Sequence, residues 1–423
     1  MKYVKLYEQW LADKSQPLVL EGGAAGHMPH PYDDNSLTFG DFKTIVDAGL
    51  RGQLNFEEDP TEKTDGQNVW ATMQDGEVKF ARNKGESTYP MTLANFKQKF
   101  QDHPSTLVRD TFQFAAQDLA DLLVKLPKNT QDEIFDNGKN FMNMELIYSK
   151  NPNVINYDND VIQFHNITRT DGAGNILGTD SKPAKEIPAI LSKLKADIGK
   201  TFQIIPPRII QLQQDLDFTE NRNKFMTKVI DLQKRYNLTD GDEVSRYHEM
   251  WWRELIDKEF PNLTQDIKEG LVKRWAYDDK KSLDIRSLDK TLGKDESDKI
   301  KKFDKEDVKK RFKENIRPFE DLFLELGSVI LKNASNFVAA NPSAEAQRLR
   351  AYLSAEADKI KISGGEAEVK KVEAELARLD RIGGLDSIYP TEGIVFKYNG
   401  KLYKLTGTFA ALNQLLGIIK YGR

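Results

Sequence analysis

From about residue 183 to 380 the chain carries helical spacing almost throughout, yet strand patterns stand on both sides of that stretch. On the C-terminal side, "TEGIVFKYNGKLYKLTG" gives two alternating runs joined by Asn399-Gly400. An Asn-Gly pair readily takes the two positive φ values of a tight hairpin turn. On the N-terminal side, "GEVKFARN", "MELIYS" and "VIQFHNI" are bounded by turn residues and interleaved with helical runs such as "STLVRDTFQFAAQDLADLLVKL". In between, "PRIIQLQQDLDFTENRNKFMTKVIDLQKRYNL", "EVSRYHEMWWRELIDKEF" and "EAEVKKVEAELARLDRI" repeat their apolar residues at helical spacing, separated by "TDGDE", "ANPSAE" and "SGGEAE". The simplest architecture is an α+β domain interrupted by a large all-helical insertion. Residues 1–182 form its first part, 183–384 the insertion and 385–423 its last part.

At 423 residues the chain can bury a core in more than one domain. No run approaches the roughly 18 apolar residues that a membrane-spanning helix needs. The start, "MKYVKLYEQWLADKSQPLVLEGG", mixes charges into its apolar positions and lacks the blocks of a secretory signal. The absence of cysteine excludes disulfides, thiolate metal sites and cysteine nucleophiles together, and fits a reducing, cytoplasmic interior. A net charge of −4 argues against indiscriminate coating of nucleic acid and leaves room for a local basic groove. The histidines form no metal-spaced cluster, since prolines interrupt "GHMPHP", the nearest pair.

One stretch, "TEKTDGQNVWATM" at Thr61 to Met73, places a lysine just before an Asp-Gly pair and a strand. Lysine is a nucleophile only as the free amine, so Lys63 would need burial or nearby positive charge to lower its pKa. Gly66 would let the backbone approach a ligand closely. The same string also suits a plain surface turn, and alone it leaves both readings open.

Its company narrows the choice. "TEKTDGQN" resembles the first signature of the covalent nucleotidyltransferases, the superfamily of ATP-dependent DNA and RNA ligases and mRNA capping enzymes. With Glu62 and Asn68 on its flanks it is most similar to the nick-sealing, phage-type RNA ligases. Arg82 in "VKFARNKGE" is similar to the family's phosphate-meeting arginine, and Glu145 in "FMNMELIY" to its ribose-contacting glutamate. Phe164 in "VIQFHNI" matches the aromatic that stacks on the purine. "TEGIVFKY" is close to the motif whose glutamate, here Glu392, binds metal, and "KLYKLTG" resembles the closing lysine motif. The order of the motifs along the chain is that of the family.

The resemblance implies an adenylyltransferase fold, with ATP-grasp-like antiparallel sheets and helices. It implies Lys63 as nucleophile, and Glu62, Asp65, Gly66, Asn68, Arg82, Glu145, Phe164, Glu392, Lys401 and Lys404 as nucleotide contacts. Mg²⁺ would sit near Glu392 and Glu145, with ATP as co-substrate and RNA or a nicked duplex as partner, in a host-cell interior if the chain is phage-encoded. Neighbouring cationic groups would hold Lys63 deprotonated. Family members usually show two lysines two residues apart in the closing motif; here Thr406 stands where the second would be if Lys404 is the first. Lys401, three residues before Lys404, would face the other side of a regular strand. The residues after Gly407 are too few for the β-barrel of DNA ligases and capping enzymes, so a barrel-less arrangement without a C-terminal OB barrel is expected.

AMP or GMP transfer to another acceptor, or an idle nucleotide-binding module, are the alternatives. His165, next to Phe164, carries no expected role. Residues 26–43 could line a pocket or form a hydrogen-bonded loop, and Trp251, Trp252 and Trp275 with Arg253, Lys273 and Arg274 could clamp nucleic acid or form a core.

Overall fold

The computed structural model describes residues 28–173, 175–180, 182–195, 201–277, 279–337 and 341–421. The chain is mixed α+β and divides into two compact units. One takes in Pro29–Leu50 and Leu216–Phe323; the other takes in Arg51–Asp215 and Leu324–Arg423.

The second unit holds the sheets. Its strands in chain order are β1 (Thr61–Lys63), β2 (Gln67–Gln74), β3 (Glu77–Ala81), β4 (Met91–Thr92), β5 (Asn140–Ile147), β6 (Val161–Thr170) and β7 (Ile176–Asp180). They continue with β8 (Gln203–Ile205), β9 (Gln211–Leu212), β10 (Ala334–Ser335), β11 (Gly393–Tyr398) and β12 (Lys401–Leu405). A seven-stranded sheet runs β4-β3-β2-β5-β6-β7, with β8 pairing β6 in parallel, and its other pairs are antiparallel. A three-stranded antiparallel sheet runs β1-β11-β12. The short strands β9 and β10 pair with each other.

Two hairpins fix the register. Asn399 and Gly400 have φ of 50° and 74°, and Asp75 and Gly76, between β2 and β3, have 53° and 79°. Two positive φ values in a two-residue loop match the strand twist.

Alternation gives the large sheet two unlike faces. Val69, Ala71, Phe80, Met142, Met144 and Phe164 bury against Phe96, Phe112, Leu119 and Phe135 from three helices, Leu93–Gln101, Thr106–Leu123 and Lys128–Phe135. The first two of those helices are capped by the Thr92 and Ser105 hydroxyls. The other face carries Asn68, Asn143, Glu145 and Gln163, register partners across β2, β5 and β6.

A second core of the same unit joins Ile147, Ile155 and Tyr157 to Leu349, Leu353, Val372, Leu379, Leu412 and Leu415. These come in part from the helices Pro342–Ser363, Glu366–Arg381 and Phe409–Tyr421. The stretch expected to be one helical insertion, 183–384, is therefore shared between the units: its residues before Leu216 and after Phe323 belong with the sheets. Helical spacing reports that a helix has an apolar face and carries no information on the surface that covers it.

In the helical unit, Trp252 and Trp275 are buried with Phe260 and Phe303. Arg253 pairs with Glu269, and Arg274 donates to Asp304 at 3.0 and 3.2 Å. The Trp275 indole N–H also donates to Asp304, at 2.8 Å. Of the residues expected either to clamp nucleic acid or to form a core, Trp252 and Trp275 are core, Trp251 is half-buried against it and Lys273 is exposed. The stretch from His30 onward is a hydrogen-bonded loop and helix start, with Asp33 accepting from the His30 N–H and Asp41 from Thr38; His27 lies outside the described residues. Among the described residues, no helix is long and apolar enough to cross a membrane.

Candidate functional site

Lys63 ends β1, where it pairs with Gly393 at the start of β11. Its carbonyl accepts from the Glu392 N–H and the Thr391 hydroxyl, both at 3.1 Å, although Thr391 lies 328 residues further along. One backbone bond and one from the neighbouring hydroxyl thus carry Glu392 to the lysine, and Lys63 Nζ sits 2.8 Å from Glu392 Oε2. A Cβ on Gly393 would stand 2.3 Å from the Leu405 carbonyl oxygen, so β12 can close on β11 only because a glycine is there.

The chain then crosses from the small sheet to the large one through Thr64-Asp65-Gly66. Asp65 Oδ2 accepts from the backbone N–H of Val154 at 2.6 Å and of Ile155 at 2.9 Å, and the Asp65 N–H donates to the Tyr157 hydroxyl at 3.0 Å. Gly66 brings the crossing against β5: its N–H donates to Glu145 Oε1 at 3.2 Å, and a Cβ there would lie 2.5 Å from Glu145 Cγ and 2.7 Å from the Leu146 carbonyl oxygen. His165 Nε2 holds the other oxygen of Glu145 at 3.1 Å.

The electrostatics follow from that burial. Desolvation would strip the proton from Lys63, yet the carboxylates of Glu392, Glu145 and Asp65 outweigh it and hold the ammonium well above its ordinary pKa. The expected deprotonated lysine relies on a cation and basic groups beside it; the protein groups that act on it here are acids. Burial raises the Glu145 carboxyl, but the Lys63 charge, His165 and the Gly66 N–H override this and keep it ionised below its usual range. Asp65 is pushed up to about 6 by burial and by Glu392, against the two N–H bonds it accepts.

The other expected residues divide. Asn68 shares the face of Glu145 and donates from Nδ2 to Asn143 Oδ1 at 2.7 Å. Lys404 stands opposite Val395, which stands opposite Thr61, so Lys404, Lys63 and Thr406 share one face of the small sheet. Lys401, opposite Tyr398, falls on the other face and is exposed. Glu62 is fully buried opposite Ile394, facing away from Lys63. The Arg82 guanidinium lies 4.0 Å over the Phe112 ring on the apolar side, and burial lowers its pKa to about 10 against the pull of Glu86 and Glu145.

Phe164, expected to stack on a base, is fully buried in the apolar core on the face opposite Glu145. Alternation sets this: Phe164 pairs with Met144, one step from the Glu145–Gln163 pair, and so takes the opposite face. Just beyond it Asn143 pairs with Asn166, leaving His165 as the extra residue of a β-bulge that brings Asn166 onto the Glu145 face as well. His165 and Asn166 line a cavity with Thr61, Pro207, Val395 and Leu402. His165 was given no role from the sequence and Gln163, Thr391 and Tyr157 were not singled out, and neither alternation nor composition marks a bulge there.

Among the described residues, no cluster of three His, Asp or Glu side chains is arranged to hold a metal ion. Mg²⁺ is commonly bound by one or two carboxylates completed by substrate phosphates and water. Glu392 and Glu145, the carboxylates expected to hold it, both act on Lys63. No protein-family model, curated protein or solved structure matches the chain.

Proposed function

We propose that the protein is an ATP-dependent polynucleotide ligase, acting preferentially on RNA, built on an adenylyltransferase fold with a helical insertion. The observation that carries this reading is the meeting of Lys63 and Glu392 at 2.8 Å, with Glu145 and the Gly66 crossing beside them. These groups are far apart in sequence and match the family's motifs one by one.

In the first step the Lys63 Nζ lone pair forms a bond to the α-phosphorus of ATP as the bond to the departing pyrophosphate breaks. Lys63 must lose a proton for this, and Glu392 Oε2 is the acceptor within reach. AMP then passes to a 5′-phosphate end, and a 3′-hydroxyl displaces AMP to seal the strand. In-line displacement at phosphorus asks the protein mainly for positioning and charge neutralisation. Lys404, on the Lys63 face, supplies positive charge toward phosphate, and Glu145 accepts from the ribose. Glu392 and Glu145 would hold Mg²⁺, which offsets charge on the phosphate oxygens.

The test is covalent labelling with α-labelled ATP and Mg²⁺ on a denaturing gel. Label lost in Lys63→Ala supports the reading; no label from any nucleotide sinks it. Nicked RNA and DNA duplexes then separate sealing from AMP transfer elsewhere. The carboxylates gathered around Lys63 favour a second reading, nucleotide binding without transfer, in which ATP protects the fold yet leaves no label.

A further inference from the structure

Gln163 lies on β6 opposite Glu145 and is 0% exposed, yet neither its Oε1 nor its Nε2 has a hydrogen-bond partner among the described residues. Buried polar groups are nearly always paired, because an unmet donor or acceptor forfeits its hydration. It is not alone. On the same face, Asn68 Oδ1 and the Trp70 indole Nε1 are buried and also lack partners among the described residues. Asn68 is the register partner of Glu145, and Trp70 of Asn143. Two acceptors and two donors thus flank the glutamate on either neighbouring strand. Just beyond Gln163 the strand bulges, and His165 and Asn166 line the cavity that Thr61, Val395 and Leu402 complete from the small sheet.

We propose that the Gln163 amide reads the hydrogen-bonding edge of the nucleotide base, an assignment that rests on the nucleotide-transfer reading above. A primary amide presents a donor and an acceptor side by side. Their complement is an adjacent acceptor and donor on a rigid ring, which adenine offers at N1 and its exocyclic amine. Phosphate offers only acceptors and would leave Oε1 unmet. Gln163 therefore sets which base is accepted and takes no part in the displacement at phosphorus.

The experiment compares self-labelling with ATP and with purine riboside triphosphate, which keeps the ring, ribose and phosphates and lacks the exocyclic amine. The wild-type protein is expected to show a KM for ATP lower by roughly tenfold or more, the discrimination typical of a two-point base contact. Gln163→Leu, close in volume, is expected to bring the two KM values together while leaving kcat at saturation within a few-fold. Its thermal midpoint should be unchanged or raised, since an unmet amide has been removed. Equal KM values in the wild type, or a preference that survives Gln163→Leu, overturn the assignment and leave the transfer reading standing; a buried water satisfying the amide gives that result. No label from either triphosphate overturns both.

Discussion

Lys63 Nζ and Glu392 Oε2 lie 2.8 Å apart, and the same two residues are joined through the backbone, the Glu392 N–H donating to the Lys63 carbonyl at 3.1 Å. The backbone bond sets the distance and the side chains set the charge. Removing one member of a mostly buried pair leaves the other uncompensated, at about 3–5 kcal/mol. Glu392→Ala is expected to destabilise the fold by about that much in denaturant titration, while the double change Lys63→Met with Glu392→Leu recovers most of it. Both proteins lose the covalent label. A double variant as unstable as Glu392→Ala would mean that Glu392 acts on something other than Lys63.

The charge on Lys63 gives labelling a pH dependence. Attack needs the free amine, and three carboxylates hold the ammonium, so the rate of labelling should climb as pH rises through the alkaline range. Glu392→Gln removes the strongest of the groups that raise the lysine's pKa, and should move that rising limb to lower pH even as the rate falls. A limb that stays in place assigns the titration to another group.

Gly66 is the tightest steric constraint at the crossing between sheets. Gly66→Ala forces its Cβ against Glu145 Cγ and the Leu146 carbonyl, and the backbone must retreat. Overpacking of this kind costs about 1–3 kcal/mol, and the displaced Glu145 should raise the KM for ATP. Gly76→Ala is the control: its Cβ meets nothing within 4 Å, but φ is +79°, so about 1 kcal/mol is expected from backbone strain alone, with labelling unchanged.

Phe164 and His165 are adjacent and should behave oppositely. Phe164→Ala empties a fully buried core position, and about 3–5 kcal/mol of stability should be lost. His165→Ala should leave the unfolding midpoint nearly unmoved and raise the KM for ATP more than that for 2′-deoxy-ATP, because Glu145 loses the group that orients it. Restoration of the ATP preference by His165→Asn would mark the role as positioning. If the KM shift follows Phe164 instead, the face assignment of β6 is overturned.

His248 is buried among Tyr247 and Phe319, with Nδ1 3.1 Å from Asn315 Oδ1, and burial lowers its pKa to about 4 from the ordinary 6.5. The unfolded chain binds more protons between those values, so stability is complete above pH 6.5 and is lost as pH falls toward 4. The loss is on the order of 3 kcal/mol. Denaturant midpoints taken across that range should show the slope, and His248→Gln should flatten it. An unchanged slope in the variant would place the acid sensitivity elsewhere.

Local signals in the sequence were enough for the β11–β12 hairpin and for the strands β2 and β11. Asn399-Gly400 takes positive φ at both residues as its chemistry requires. These are free energies decided within a few residues. The grouping of Lys63, Glu145 and Glu392 was also expected, from the resemblance of their flanking strings to one set of motifs in order. Only the tertiary structure decided which face of β6 meets the core: alternation puts Phe164 and His165 on opposite sides, and the helices packed on the sheet bury Phe164 and leave His165 beside Glu145. It likewise assigned the helices Pro342–Ser363 and Glu366–Arg381 to the sheet unit, where Leu349 and Val372 find their cover. The carboxylates that act on Lys63 are brought together at the same level. A pKa depends on burial and on carboxylates brought from distant strands, and no window of sequence contains them.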